Sequence, residues 1–130
     1  MEVELVHWKI EHGSKQAVDL PVVENGAERI CQLRDVVPVG VIVLKRDGQY
    51  IKTVAEGCDA RDALLNAFNK AVSCNIRIVR SGGSIIRDGT VRMKMYFQGV
   101  NNVVSGFGEA QEDEEAFLLA LLETYNKYLS

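Results

Sequence analysis

The segment that decides the fold is residues 37–68, which read VPVGVIVLKRDGQYIKTVAEGCDARDALLNAF. Its first run, from Val39 to Leu44, is apolar on both faces, as is typical of a central strand covered on both sides. Pro38 fits the beginning of that strand, where its missing donor does least harm. Asp47-Gly48 is a strong turn signal, so a second strand is expected directly after it.

A helix is expected within three residues of Gly57. Apolar positions recur at helical spacing from about Ala60 to Ser73, and Asp59 is a good N-cap. The expected apolar face consists of Ala60, Ala63, Leu64, Ala67, Phe68, Ala71 and Val72. Upstream, Val6, Trp8 and Ile10 alternate with polar residues and predict a strand with one buried face. Asn25-Gly26 predicts an additional hairpin or arm.

The same order of elements recurs in the second half of the chain. The runs NIRIVRS (75–81), GTVRMKMYFQG (89–99) and NNVVSGFG (101–108) each predict a strand. A second helix is expected from about Glu112 almost to the C-terminus. Its predicted buried residues are Phe117, Ala120, Leu121 and Tyr125.

The two strand–helix corners align with each other. Gly57 matches Gly106 at an offset of 49, whereas the helix residue Ala63 matches Ala116 at an offset of 53. About four extra residues are therefore expected in the second corner. The chain is predicted to be α+β, with two pseudo-symmetric β-β-β-α units whose antiparallel sheets carry helices on one face. Residues 1–130 form one domain: an N-terminal strand and hairpin (1–37), a first unit (38–74) and a second unit (75–130).

Composition narrows the function. The 130 residues carry a formal net charge of −3, which argues against a general polyanion binder. Cys31, Cys58 and Cys74 form no CxxC pair, so buried thiols rather than disulfides or zinc ligands are expected. No apolar run approaches the roughly 20 residues of a membrane span, and no signal peptide is evident. A cytoplasmic location is the default expectation.

The glycine corners are the most suggestive chemistry. Unpaired N–H groups and the helix dipole at a helix start attract a carboxylate or phosphate, and Gly57 and Gly106 would let the backbone approach a ligand closely. Both corners can equally be simple turns, and neither is a P-loop or a full GxGxxG fingerprint.

Other polar groups favour ordinary roles. Acidic residues crowd the start of the second helix (Glu109, Glu112, Asp113, Glu114 and Glu115), where they suit the helix dipole. His7 and His12 are five apart on a strand and point to opposite faces, so a shared metal is not expected. No catalytic residue, metal site or cofactor site is identified, and whether the chain belongs to an enzyme is left open.

A basic group lies on the strands of the second unit: Arg77, Arg80, Arg87, Arg92 and Lys94. These side chains could meet phosphate, but the acid-rich second helix lies close in sequence and can offset their field. A double-stranded RNA module would need lysines at the start of its last helix, where this chain has EDEEA. Binding to nucleic acid is therefore not expected, although an RNA-binding module stays as a third hypothesis.

At the corners and the last helix the chain resembles the C-terminal regulatory domain of 2-isopropylmalate synthase and citramalate synthase, the LeuA allosteric or dimerisation domain. The first family corner (G-x-G-P, then an alanine-rich helix) corresponds to Gly57-Cys58-Asp59-Ala60, and the second to Gly106-Phe107-Gly108. Cys58 and Asp59 replace the second glycine and the proline of the family pattern. The likeness covers most of residues 38–130.

The resemblance implies a homodimer, feedback control in leucine biosynthesis and an effector such as leucine or isoleucine. It implies effector contacts at Gly57, Cys58, Asp59, Ala60, Gly106, Phe107 and Gly108. The chain would then be a regulatory part of an acyltransferase, without the synthase barrel and its metal. The alternative hypothesis is a structural oligomerisation module that binds no metabolite. Calorimetry with leucine, isoleucine and related acids separates the two.

Overall fold

The fold is described from a computed structural model that covers residues 2–14, 18–24, 26–33, 36–99 and 101–129. Eight strands and two helices follow one another along the chain in these ranges. They are β1 (Glu4–Ser14), β2 (Val18–Glu24), β3 (Ala27–Leu33), β4 (Val36–Arg46), β5 (Gln49–Glu56), α1 (Ala60–Val72), β6 (Arg77–Arg87), β7 (Thr90–Gln98), β8 (Val103–Ala110) and α2 (Asp113–Thr124). A π-helical segment, Tyr125–Leu129, continues α2.

Two three-stranded antiparallel sheets form the body of the fold, with strand orders β1-β4-β5 and β6-β7-β8. Each sheet is followed by a helix, α1 after the first and α2 after the second. The predicted α+β class with two β-β-β-α units is confirmed. The predicted first unit, 38–74, is too short, because β1 pairs with β4 and is the third strand of that unit's sheet.

The hairpin β2–β3 is inserted between β1 and β4 and forms a two-stranded sheet of its own. The pair Glu24–Ala27 closes a two-residue loop in which Gly26 has φ +78°, as the sequence predicted for a hairpin. Asn25 itself lies outside the described residues. The turns at Asp47-Gly48 and Asp88-Gly89 also have positive φ at both positions, as type I′ turns require.

Residues at equivalent positions in the two units are 53 positions apart in the sequence. Gly40 pairs with Ala55 in the first sheet, and Met93 pairs with Gly108 in the second, so both partners differ by 53 positions. Ala63 of α1 matches Ala116 of α2 at the same offset. The offset of 49 at the corners was therefore wrong, and the second corner holds no insertion.

The extra residues lie at the end of the second helix instead. Asn69-Lys70 in α1 and Asn126-Lys127 after α2 are 57 positions apart, four more than the strands require. The additional turn coincides with the π-helical segment, Tyr125–Leu129. A wider helical turn of this kind is a common way to absorb an insertion at a helix end.

These two asparagines make the same contact. Asn69 accepts a hydrogen bond from the amide of Ile76 and donates one to its carbonyl, both at 2.9 Å. Asn126 does the same with Val3, at 2.8 and 2.9 Å. Ile76 directly precedes β6 and Val3 directly precedes β1. The helix of each unit thus fixes the start of the other unit's sheet. The two units are therefore joined by two equivalent contacts, one in each direction.

The core lies between the sheets and the helices. In β7, Val91, Met93, Met95 and Phe97 are buried and alternate with Arg92, Lys94 and Tyr96, as the period-2 pattern predicted. Aromatic contacts extend this core: Phe97 packs on Phe117 within the second unit, at 6.0 Å between ring centroids, and Phe68 of α1 meets Tyr125 of the second unit edge-to-face at 5.5 Å. All four residues predicted for α2, Tyr125 included, are buried.

Irregularities in the two outer strands departed from expectation. A bulge in β1 between Leu5 and His7 leaves Val6 48% exposed, while Trp8 and Ile10 pack against the core. The prediction that Val6 faces inward was wrong. β6 continues to Arg87, past its predicted end at residue 81, and keeps pairing with β7 across two bulges, one between Ile78 and Arg80 and one between Ser81 and Gly83. In the described ranges no helix is both long and apolar enough to cross a membrane.

Candidate functional site

The first corner is a close contact between β5 and α1. The Gly57 amide donates to the carbonyl of Pro38 at 3.2 Å, which fixes the corner to the central strand. A Cβ on Gly57 would lie 2.2 Å from the Ala63 nitrogen, so only glycine lets the helix backbone approach this closely. The glycine is explained by packing, without any ligand.

Carboxylates already occupy the start of α1. Asp59 is the N-cap, as predicted, and its side chain accepts from the Asp62 amide at 2.8 Å. Asp62 in turn accepts from the Cys58 amide at 2.8 Å. Two donors that an anionic ligand would need are thus satisfied internally. The two negative charges also oppose the helix dipole's attraction for an anion.

The second corner is not a glycine turn. Gly106 and Gly108 lie within β8, which continues to Ala110, and both are buried against α2. A Cβ on Gly108 would be 1.8 Å from the Ala116 carbonyl oxygen, and one on Gly106 would be 2.2 Å from Thr124 Oγ1. The prediction of a glycine corner here was wrong. These glycines serve the close packing of a helix on a strand.

Matching contacts support the structural role of both corners. Thr53 and Gly106 are equivalent at the offset of 53, and so are Ala67 and Ala120. Thr53 Oγ1 donates to the Ala67 carbonyl at 2.7 Å. In the second unit Thr124 donates to the Ala120 carbonyl at 2.8 Å and fills the space above Gly106. The same helix carbonyl is satisfied in both units, from the strand in one and from the helix in the other.

The start of α2 carries the expected acidic cluster. Glu112 is its N-cap without a side-chain capping bond, and Asp113, Glu114 and Glu115 form the first turn. This turn is therefore negative, as the start of α1 is. Neither helix start offers a net positive field to a carboxylate or a phosphate.

The seven residues of the predicted effector site divide between two sides of the second sheet and a separate corner. Gly57, Cys58, Asp59 and Ala60 stay together at the start of α1. Gly106 and Gly108 face α2, whereas Phe107 points to the opposite face of the sheet, where the Lys94 ammonium lies 5.2 Å from its ring. Phe107 is 58% exposed.

The remaining candidate groups are dispersed. His7 and His12 are both exposed, in line with ordinary surface histidines. Cys58 is exposed, so its predicted burial was wrong, and Cys74 is half-buried. The side chain of Cys31 lies outside the described residues. Within the described ranges, no three His, Cys, Asp or Glu side chains are placed to hold a metal ion.

The two sheets expose different outer faces, meaning the faces away from α1 and α2. On β4 and β5 the first sheet carries Val39, Val41, Val43 and Val54 on this face, of which Val41 is buried, Val39 and Val43 are half-buried and Val54 is 43% exposed. At the equivalent positions, 53 residues later, the second sheet presents Arg92, Lys94, Tyr96 and Phe107. The sequence located the basic residues but not their shared face with the two rings. The alternation in TVRMKMYF was the available signal.

Comparison with known proteins assigns no role to either of these two faces. No protein-family model matches the chain, and no curated protein matches it significantly.

Proposed function

We propose that this chain is a non-catalytic assembly domain of the regulatory type: two copies associate, and the pair responds to a small branched-chain amino acid. The hairpin β2–β3 carries the proposal, because it shares no strand with either three-stranded sheet. A lone two-stranded hairpin is at best marginally stable in water. Apolar residues also dominate its sequence, in Val18, Leu20, Val22, Val23, Ile30 and Leu33. Cover from a second copy would give these apolar residues a surface to pack against.

The valine face of the first sheet (Val39, Val41, Val43 and Val54) adds to this support. β4, which carries three of these valines, is one of the two strands that lead into the hairpin. Val54 is 43% exposed although it is apolar. Full burial of a valine contributes about 1.5 kcal/mol or more, so covering the exposed part of Val54 contributes roughly 1 kcal/mol and favours a partner at this position. Val41 is already buried, so the apolar surface open to a second copy is Val54 with the half-buried Val39 and Val43.

The effector rests on the resemblance to the synthase regulatory domain, which favours leucine or isoleucine in a cytoplasmic pathway. The corner geometry contributes only part of an amino-acid site. Asp59 and Asp62 suit an ammonium group, but they repel the carboxylate of the same ligand. Assembly and effector binding are therefore separate statements with separate tests.

The assembly test removes the hairpin β2–β3, and the direct turn between β6 and β7 in the second unit shows how to close the gap. In the second unit Arg87 pairs with Thr90 across Asp88-Gly89, so β6 and β7 form a plain hairpin. In the first unit Ser14 pairs with Val36 at the base of the arm. Replacement of residues 15–35 by Asp-Gly converts the first unit to the form of the second.

Light scattering coupled to size-exclusion chromatography should give a dimer for the full chain and a monomer for the shortened one. Circular dichroism should show that the shortened chain keeps its helices. A full chain that stays monomeric at all concentrations contradicts assembly, and a shortened chain that still dimerises contradicts the role of the hairpin β2–β3 in it.

The effector test is calorimetry of the full chain with leucine, isoleucine and the corresponding keto acids. Heat and a thermal shift with one of these acids are expected. Dimerisation without any heat or shift would retire the effector and leave a structural oligomerisation module, which is the second reading of the sequence.

A further inference from the structure

The outer face of the second sheet brings together the five basic residues on the strands of the second unit. Cross-strand pairs define three rows of this face, each given with its β6, β7 and β8 residues. They are Ile85–Arg92–Glu109, Gly83–Lys94–Phe107 and Arg80–Tyr96–Ser105. Arg77 and Arg87 extend it at the two ends of β6, opposite Gln98 and Thr90. We call this surface the basic face.

The basic face has a strong local charge on an acidic chain. Its five cations outnumber the nearby acids: Glu109 bonds Arg92 at 3.1 Å, Asp88 lines a shallow pocket with Arg87 and Arg92, and Glu123 of α2 accepts from the Phe107 amide at 3.2 Å. The chain as a whole has a formal charge of −3. The acid-rich start of α2 does not cancel this field, because α2 packs on the other side of the sheet, against Phe97 through Phe117. Closeness in sequence had suggested the opposite.

Two aromatic rings lie among the cations. The Arg80 guanidinium lies 4.6 Å from the centre of the Tyr96 ring, and the Lys94 ammonium lies 5.2 Å from the rings of both Tyr96 and Phe107. The hydrogen bond and the charge of Lys94 lower the pKa of Tyr96 below its ordinary value, and Arg80 adds to the effect. Tyr96 and Phe107 lie on adjacent strands in neighbouring rows.

A depression beside the rings gives the basic face a concave shape. The bulge at Gly82-Gly83 opens it next to Lys94, and its volume is about 630 Å³. Gly83 has φ +122° and Gly82 lies directly against the Tyr96 ring, so neither position accepts a side chain without rearrangement. The depression is thus a property of the backbone.

We propose that the basic face binds single-stranded nucleic acid, with the cations on phosphates and with Tyr96 and Phe107 stacking on bases. A sheet face that combines cations with the exposed Phe107 ring and the half-buried Tyr96 ring suits unstacked bases, whose faces a duplex hides. An acidic peptide would use the cations but leave the rings without a matching group. The inference goes beyond the proposed assembly function and does not depend on it.

The test is fluorescence anisotropy of the full chain with a labelled oligouridylate of about twelve nucleotides, a length within the span of single-strand sites. Affinity should fall with salt, with a logarithmic slope of about −0.7 for each phosphate contacted. Phe107→Ala should weaken binding about fivefold or more, as expected for loss of one stacked base. Lys94→Gln should weaken binding and reduce the salt slope.

Two further variants serve as matched controls. Lys52→Gln removes one cation from the outer face of the first sheet and should leave binding unchanged. Glu109→Gln removes the carboxylate that bonds Arg92 and should strengthen binding. Circular dichroism of each variant establishes that the fold is kept.

The proposal is overturned if the oligonucleotide gives no anisotropy change at low salt. It is also overturned if Lys52→Gln weakens binding as much as Lys94→Gln does, since binding would then follow charge alone. Equal affinity for polyglutamate, with no effect of Phe107→Ala, would identify an acidic polypeptide as the partner instead.

Discussion

Replacement of Asn69 by alanine tests the reasoning about how the two units are joined. Asn69 makes two hydrogen bonds to the backbone of Ile76, and Ile76 is only 3% exposed. Each bond contributes about 0.5–1.5 kcal/mol, and each buried group left unpaired costs about 1–3 kcal/mol. Asn69→Ala should therefore lower the free energy of unfolding by about 2–4 kcal/mol. Urea denaturation followed by circular dichroism measures it.

Asn66→Ala is the matched control on the same helix. Asn66 is exposed and makes one bond to the Glu56 carbonyl, at 2.9 Å. Water can replace that bond, so the control should cost less than about 1 kcal/mol. Equal losses for the two variants would refute the role assigned to Asn69.

Asn69→Asp adds a dependence on pH. The new carboxylate still accepts a hydrogen bond from the Ile76 amide. Its second oxygen lies against the Ile76 carbonyl oxygen, and it can donate a hydrogen bond there only when it is protonated. The folded state therefore favours the protonated form, so the folded pKa lies above the unfolded value of about 3.9. The resulting stability is fully present below that unfolded pKa and is lost as the pH rises through the folded pKa. Relative to wild type, the variant should gain stability on acidification, and a flat difference between pH 7 and pH 3 would contradict the geometry.

Three further variants test the packing of the corners, each by chemical denaturation. Gly108→Ala should lower the free energy of unfolding by about 3 kcal/mol or more, because its Cβ would overlap the Ala116 carbonyl. Gly13→Ala is the control: its Cβ would lie 3.5 Å from the nearest side-chain atom, so the change should stay within about 0.5 kcal/mol. Similar losses for the two variants would refute the packing argument. Asp59→Ala removes the N-cap of α1 and should cost about 1 kcal/mol, and no loss would mean that Asp62 suffices at this helix start. Thr53→Val removes the bond to Ala67 and should cost about 1 kcal/mol, and a neutral result would show that the carbonyl finds another donor.

The parts of the fold that were predictable are those governed by local signals. Asp59 and the apolar spacing placed α1 within one residue of its observed end, and Asp47-Gly48 placed the first hairpin. The class followed from the repeated order of strands and helix. Each of these predictions depends on residues close together in the chain, where turn and capping preferences act directly.

The errors arose where tertiary packing overrides local signals. A glycine pair in β8 reads as a turn from sequence, but here it reflects a helix lying almost in contact with the strand. The bulge that turned Val6 outward has no strong local signature. The basic face needed the register between three strands, which the sequence does not contain. For that reason charge near in sequence was mistaken for charge near in space.

The two asparagine contacts have equal geometry but very different consequences for folding kinetics. Asn69 and Ile76 are separated by 7 positions, and Val3 and Asn126 by 123. Closing the longer loop costs about 2.5 kcal/mol more in chain entropy. The contact between Asn69 and Ile76 is therefore expected to form early, and the contact between Val3 and Asn126 among the last. A short linker between the chain ends would remove that difference and make folding from either unit nearly equivalent.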